Sequence, residues 1–251
     1  MRNRGDVVVV DDAGSLARAL AERFVAAAHE ACERHGRFDV VLAGGSTPKA
    51  AYELLAASHF REQVDWRAVR FFFGDERCVP PDDDASNYKM AKAALGAAMA
   101  GAGAVFRMHG EEEPQSAALA YAKVLRKEAG DEPVFDLVLL GMGPDGHTAS
   151  LFPGSDPRTD DAALVRAPFV AHLNAYRLTL TPRALCGGRA IVVALSGSEK
   201  AQTLREVLTA DAPEYLRYPI EVLQSGAAQL TWLVDRSASA ALSAARVIDV
   251  S

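Results

Sequence analysis

The sequence is poor in the residues that build disulfide-linked or metal-binding proteins. Its three cysteines, Cys32, Cys78 and Cys186, are scattered and odd in number, and no two of them form a CxxC pair. The full zinc pattern, a cysteine pair followed by a histidine pair, is missing. These absences predict reduced thiols, as in a cytosolic protein, and no metal site.

Long apolar runs are also missing. No stretch reaches the ~18 apolar residues that span a bilayer, and the run near the first residue is too short for a signal peptide. We therefore expect a cytoplasmic protein without membrane contacts. The net charge of −6, from 27 basic and 33 acidic residues, argues against a nucleic-acid surface. An anionic ligand would need a local cluster of arginine and lysine.

What the chain does contain is a regular alternation of strand-like apolar runs and helical segments, without a linker or an internal repeat. The predicted strands are residues 7–10, 38–43, 69–73, 135–140, 177–181, 190–195 and 230–234. Helices are predicted between them, with a last alanine-rich helix from about Ser237. This order is typical of a mostly parallel, doubly wound α/β sheet with helices on both faces. We expect one domain over residues 1–251.

The loop after residues 135–140 carries the most chemistry. The apolar run ends in a glycine-rich turn that delivers Asp145 and His147, and open α/β sheets bind ligands at the carboxyl ends of their strands. Gly141, Gly143 and Gly146 also match the dinucleotide pattern GxGxxG. We give that match little weight, because it lies in the middle of the chain and no acidic residue ends a second strand about 20 positions later.

Two other strand ends carry residues suited to an anion. Gly44, Gly45, Ser46 and Thr47 precede Pro48, so Thr47 is predicted to cap a helix whose N–H groups would face a phosphate. A plain capped turn explains these residues equally well. After residues 69–73 come Asp75 and Arg77, which form either a salt-bridged surface turn or an acid/base group beside an anion-binding arginine.

A further strand end and one strand start complete the candidates. Ser198 is predicted as an N-cap, which would place Lys200 in the first turn of a helix, where a cation opposes the dipole unless an anion is bound. A solvated lysine is the alternative. Arg177 opens a strand, so it would reach the site only if that strand ran antiparallel. A P-loop and a GxSxG serine elbow are both absent, so the residues alone indicate a phosphorylated small molecule and acid/base chemistry.

Six motifs together resemble the 6-phosphogluconolactonase family, the lactone hydrolases of the oxidative pentose phosphate pathway. They are AGGSTP (43–48), GDER (74–77), SNY (86–88), GMGPDGHTASLFPGS (141–155), RLTLTP (177–182) and SGSEKA (196–201). Related glucosamine-6-phosphate deaminases resemble the chain at several of these motifs, but typically continue DGH as IAFNEP. Phe152 stands here in place of their glutamate, which favours a lactonase.

The resemblance implies a fold like that of the deaminase and ribose-5-phosphate isomerase superfamily, and no cofactor. It implies a phosphate held by the loop Gly44, Gly45, Ser46 and Thr47 together with Arg77, Arg177 and Lys200. His147 would be the base that activates water, oriented by either Asp145 or Asp75, with N–H groups of the glycine turn stabilising the oxyanion. The partner is then a small sugar-phosphate lactone, and the chain a monomer or weak homodimer. A deaminase-like isomerase and a non-catalytic sugar-phosphate regulator remain the alternatives.

Overall fold

The computed structural model describes residues 4–154, 162–209, 217–226 and 228–242, and the backbone of residues 247–249. The strands in these ranges are β1 (Asp6–Val10), β2 (Phe38–Leu42), β3 (Val69–Phe73), β4 (Asp75–Arg77), β5 (Ala104–Val105), β6 (Leu137–Leu140), β7 (Val165–Arg166), β8 (Phe169–Val170), β9 (Ala175–Leu180), β10 (Ala190–Leu195), β11 (Gln229–Asp235) and β12 (Val247–Asp249). The α-helices are α1 (Ala13–His35), α2 (Ser46–Ala56), α3 (Ser58–Arg61), α4 (Asn87–Leu95), α5 (Ala97–Ala100), α6 (Pro114–Ala129), α7 (Pro182–Leu185), α8 (Ala201–Thr209) and α9 (Arg236–Ser239).

Eight of these strands form one parallel sheet in the order β12-β1-β11-β10-β6-β2-β3-β5. From β1 the chain advances toward β5 and then returns through β6, β10 and β11. Right-handed crossovers made in opposite directions place their helices on opposite faces of a sheet. The predicted mostly parallel, doubly wound α/β sheet is therefore confirmed.

A second, antiparallel sheet was not predicted. It has the order β4-β9-β7, and β8 also pairs with β9. Only Gly74 separates β3 from β4, so the chain passes directly from the parallel sheet into the small one. The backbone N–H of Leu180 in β9 donates to the carbonyl of Gly74 at 2.8 Å and ties the two sheets together.

Apolar side chains fill both faces of the central strands. Every residue of β2 and β6 is buried, and so are the last four residues of β11. Trp232 is among the largest side chains that are fully removed from solvent. Buried tyrosine hydroxyls satisfy the backbone where strands end: Tyr52 of α2 bonds both the N–H and the carbonyl of Ala43, at 3.1 and 3.0 Å. This contact fixes the helix that follows β2 against the strand's carboxyl end.

A charged cluster closes the opposite, amino-terminal edge of the sheet. Arg70 donates to both carboxylate oxygens of buried Asp39, each at 2.6 Å, and to Glu128 at 3.2 Å. The carboxylate of Asp136 accepts the backbone N–H of Asp39 at 2.9 Å and contacts Nε2 of His35 at 2.9 Å. These ion pairs lie at the strand starts, so they serve the sheet rather than the site at the strand ends.

Some predicted boundaries are wrong at the helix ends. The final helix is only four residues long, because α9 ends at Ser239, and the edge strand β12 was not predicted. None of the described helices is both long and apolar enough to cross a membrane.

Candidate active site

The carboxyl ends of β2, β3, β6 and β10 surround a cleft of about 220 Å³. The chain leaves β2 toward one face of the sheet and β6 toward the other, and a crevice opens between two such neighbouring strands. Eight of the sequence-predicted residues line this cleft: Gly44, Gly45, Ser46, Thr47, Asp75, Arg77, His147 and Lys200. Asp145 and Arg177 are next to lining residues: Asp145 contacts His147, and Arg177 pairs with Arg77.

His147 and Asp145 form a close pair in the loop after β6. Nδ1 of His147 lies 2.6 Å from Oδ1 of Asp145, and the backbone N–H of His147 donates to the same oxygen at 3.2 Å. Partial burial raises the pKa of Asp145, but the two hydrogen bonds from His147 outweigh it and leave that pKa below its usual value. The carboxylate is thus ionised, and Nδ1 carries the proton. Nε2 makes no hydrogen bond to any residue that the structure describes.

Gly143 makes this pair possible. A Cβ atom at Gly143 would overlap the imidazole ring of His147 and the carboxylate of Asp145. The turn is closed by its own backbone, because the N–H of Gly143 donates to the carbonyl of His147 and the N–H of Gly146 to the carbonyl of Gly143, both at 2.9 Å. Outside the turn, Thr148 donates to the carbonyl of Gly141 at 2.8 Å.

These hydrogen bonds narrow the expectation that N–H groups of the glycine turn stabilise the oxyanion. The N–H groups of Gly143 and Gly146 are used inside the turn. Those of Met142 and Ala149 make no hydrogen bond within the described part of the chain, and both residues line the cleft. Ala149 has a φ of 47°, a strained conformation for a residue with a side chain.

The anion-binding half begins at α2. Its N-cap is Gly45, with φ 100° and no side-chain hydrogen bond, so Thr47 is not the cap that the sequence suggested. The chain turns sharply at a positive φ that glycine tolerates, and the helix then starts two residues earlier than expected. In the described ranges, the backbone N–H groups of Ser46 and Thr47 have no hydrogen-bond acceptor. Free N–H groups at a helix N-terminus suit a phosphate.

Arg77 and Arg177 face the same region from neighbouring strands. β4 and β9 are antiparallel, and the two arginines are directly paired across them, so their side chains lie on one face. This antiparallel pairing is the condition under which Arg177 reaches the site. Burial, and after it the charge of Arg77, lowers the pKa of Arg177. Neither arginine forms a salt bridge with a described residue, so an anion between them would relieve their repulsion.

Lys200 reaches the cleft from the loop after β10. Its ammonium group donates to the carbonyl of Ser196 at 2.7 Å and lies 3.3 Å from the carboxylate of Glu199. The N-cap is Gly197 rather than Ser198, and Lys200 closes a 3₁₀ turn before α8. Asp235 holds this loop by accepting the hydroxyl of Ser196 at 2.5 Å. The negative charge of Glu199 thus offsets part of the unfavourable interaction between Lys200 and the helix dipole that the sequence predicted.

Asp75 is bound by partners other than His147. Its carboxylate accepts the hydroxyl of Ser150 at 2.7 Å and the side-chain amide of Asn87 at 3.1 Å. Burial raises the pKa of Asp75, although the bond from Ser150 and the charge of Arg77 oppose that shift. Asp145, rather than Asp75, therefore contacts the imidazole.

Sequence reasoning assigned no role to Asn87, Ser150 or Glu76. Asn87 packs where a Cβ at Gly44 would stand, so it joins the phosphate loop to Asp75. The buried carboxylate of Glu76 accepts the N–H groups of Asn87 and Tyr88 at 2.7 and 2.8 Å and fixes the start of α4. The SNY motif was the available signal, but its spacing alone does not reveal these contacts.

The fold and site define a class: α/β proteins whose cleft at the strand ends joins a helix N-terminus and basic side chains to a histidine–aspartate pair. Within that class, the chain belongs to the family of glucosamine-6-phosphate isomerases and 6-phosphogluconolactonases, whose model matches residues 11–232.

Individual relatives agree with this family. The chain is 35% identical over 195 residues to 6-phosphogluconolactonase of Treponema pallidum (strain Nichols), covering 76% of this chain and 80% of the relative. The structure of 6-phosphogluconolactonase from Trypanosoma cruzi superposes with a TM-score of 0.84 at 30% identity, covering 97% of this chain and 98% of the other. A monomeric glucosamine-6-phosphate deaminase superposes with a TM-score of 0.79 at 19% identity, covering 94% of this chain and 99% of the other; at that identity the likeness concerns the fold.

Proposed function

We propose that this chain is a 6-phosphogluconolactonase, which hydrolyses 6-phospho-D-glucono-1,5-lactone to 6-phospho-D-gluconate. The observation that carries the proposal is the pair of His147 and Asp145 at the cleft. With Nδ1 protonated and bonded to Asp145 at 2.6 Å, the lone pair of Nε2 is left to accept a proton from water. The named relatives and the six motifs support the same activity.

The phosphate would be held at the other end of the cleft. The free N–H groups of Ser46 and Thr47 supply a helix N-terminus, and Arg77, Arg177 and Lys200 supply three positive charges. Such a clamp fixes the distance between the phosphate and the lactone carbonyl, so the carbonyl carbon is presented to His147 in one orientation.

The reaction then needs one base and one oxyanion site. Nε2 of His147 removes a proton as water adds to the carbonyl carbon, and Asp145 stabilises the imidazolium that forms. The N–H groups of Met142 and Ala149 are the proposed donors to the oxyanion. When the tetrahedral intermediate collapses, the bond to the ring oxygen breaks and His147 returns its proton to that oxygen.

The test is lactone hydrolysis corrected for spontaneous ring opening. We expect His147→Ala to lower kcat by at least about 100-fold, the scale of general-base catalysis. Lys200→Ala should instead raise KM, because it removes a phosphate contact. Hydrolysis by His147→Ala at the wild-type rate would refute the assignment of the base, and an unchanged KM for Lys200→Ala would refute the phosphate role.

The alternative activity is deamination of glucosamine 6-phosphate. Phe152 replaces the carboxylate that deaminases carry at this position, and the named relatives do not favour that reading. Release of ammonia from glucosamine 6-phosphate at a rate above that of lactone hydrolysis would overturn the proposal. A cytoplasmic monomer or weak homodimer is proposed with the same activity, and sedimentation at several protein concentrations tests the state of assembly.

A further inference from the structure

Three aromatic rings contact one another in a row that starts at His147, which lines the cleft. The ring of Phe152 lies on that of His147, with 4.5 Å between centroids and 32° between planes. Phe152 also contacts the ring of His172 edge-on, with centroids 5.2 Å apart and planes at 72°. Both distances fall in the range of favourable aromatic pairs.

His172 belongs to a small hairpin of the antiparallel sheet. It lies in the 3₁₀ turn Ala171–Leu173 between β8 and β9. Those strands are antiparallel, and their first pair, Phe169 and Tyr176, has its own ring contact at 5.1 Å. The hairpin therefore presents His172 from a paired support rather than from an unsupported loop.

The imidazole of His147 needs a second contact besides its hydrogen bond to Asp145. Its hydrogen bond to Asp145 uses Nδ1 only, and one hydrogen bond restricts but does not fix rotation of the ring about its Cβ–Cγ bond. Such a rotation carries Nε2 out of line with the lactone carbonyl. A second ring in contact with the imidazole plane prevents it. Phe152 is the aromatic ring that makes this contact in the described part of the chain.

We propose that Phe152 is a positioning residue for His147, and that His172 supports Phe152 in that role. The proposal rests on His147 being the base of the proposed function. From the sequence alone, Phe152 mattered only because it replaces the glutamate of deaminases. Here the flat face of its ring sets the orientation of the imidazole, and Asp145 sets the tautomer. The ring contacts of Phe152 within the described part of the chain are with His147 and His172, so we expect its effect in the chemical step.

The main experiment compares Phe152→Leu with Phe152→Tyr. Leucine keeps apolar volume but offers no flat ring, so we expect kcat to fall about 10- to 100-fold, the scale of a small misplacement of a reacting group. KM should stay within about threefold of wild type, because the phosphate loops are untouched. Tyrosine restores the ring and should recover most of kcat. His172→Ala should give a smaller loss of kcat than Phe152→Leu.

A spectroscopic readout separates positioning from simple packing. The ¹⁵N shifts of the His147 imidazole report which nitrogen carries the proton and whether one arrangement dominates. We expect a single Nδ1–H form in wild type and in Phe152→Tyr, and exchange-broadened or averaged signals in Phe152→Leu. The matched control is Phe169→Leu, because Phe169 is an exposed aromatic of the same hairpin that contacts Tyr176 instead; its kcat should equal that of wild type.

Each outcome decides one claim. Wild-type kcat in Phe152→Leu, or equal losses in the leucine and tyrosine variants, would overturn the positioning role. A loss of kcat with unchanged imidazole signals would do the same, because it would assign the effect to packing. If the wild-type protein does not hydrolyse the lactone, the proposed function fails, while the ¹⁵N comparison still shows whether Phe152 orients the ring.

Discussion

Asp145→Asn tests the histidine–aspartate pair most directly. Asparagine has nearly the same shape, so the change removes the charge that faces the imidazole at 2.6 Å without opening a cavity. A hydrogen bond to a charged group contributes about 1.5–3 kcal/mol. The side chains of His147 and Asp145 are 32% and 42% exposed, so solvent screening places the effect near the lower end, at about 1.5–2 kcal/mol.

That free energy corresponds to a fall in kcat of about 10- to 30-fold, at 1.36 kcal/mol per decade. KM should change little, because the phosphate groups lie elsewhere in the cleft. The assay follows acid release from the lactone at constant pH and subtracts spontaneous opening. Asp84→Asn is the matched control, since Asp84 is an exposed carboxylate bonded to Lys89. A kcat for Asp145→Asn within twofold of wild type would show that the charge of Asp145 does not assist His147, and would favour Asp75 in that role.

Three further changes test other parts of the molecule. Burial raises the pKa of Asp75 above its usual 3.8, so the ionised form costs stability that is regained as pH falls through the raised pKa. Asp75→Asn should therefore raise the thermal midpoint at pH 7, with a gain that shrinks toward pH 4. Gly143→Ala forces a Cβ into the ring of His147 and should lower kcat at least about 10-fold in the lactone assay. Arg70→Met removes the two shortest hydrogen bonds to the buried carboxylate of Asp39 and leaves it the 3.3 Å contact with Arg37. Urea unfolding should then show a loss of stability of at most about 3–5 kcal/mol, with kcat unchanged.

Each of these three expectations can be contradicted by the same measurement. A stability gain for Asp75→Asn that grows toward low pH would contradict the sign of its pKa shift. Wild-type kcat in Gly143→Ala would mean that the loop adjusts at no cost to the pair, and Gly14→Ala in the first turn of α1 is the control for a tolerated methyl group. A kcat loss in folded Arg70→Met would contradict its placement at the far edge of the sheet.

The sequence was sufficient to predict the parallel sheet and the loops that carry the site. Strands such as β6 are buried on both faces and appear as unbroken apolar runs, and polar residues that follow them must stand at strand ends. Eight predicted residues line one cleft for this reason, although they come from four separate loops.

The small antiparallel sheet could not be predicted in the same way. β4 has three residues, and β7 and β8 have two each, too few to leave an alternating pattern. The position of Arg177 depends on this sheet, because its partner Arg77 lies in β4. From the sequence, Arg177 reaches the site only if its strand runs antiparallel. The pairing of β4 with β9 meets that condition.

The choice between two aspartates also required coordinates. Asp145 and Asp75 both stand near strand ends, and spacing along the chain does not measure their distance from an imidazole. Ser150 and Asn87 bind Asp75 from segments 75 and 12 residues away. The caps predicted at Thr47 and Ser198 were wrong for a related reason, since Gly45 starts α2 and Gly197 starts the turn before α8, both without a capping side chain.

The position of β1 has a consequence for how the chain is made. β1 leaves the ribosome before the other described strands of the parallel sheet, yet its two neighbours are β11 and β12, which emerge after all the others in that sheet. Asp6 pairs with Thr231, so a loop of more than two hundred residues must close before this strand has any hydrogen-bonded partner. Such a pairing is slow to form. A nascent chain can join β2 to β3 early, but among the described strands β1 has no neighbour to pair with until β11 has been made.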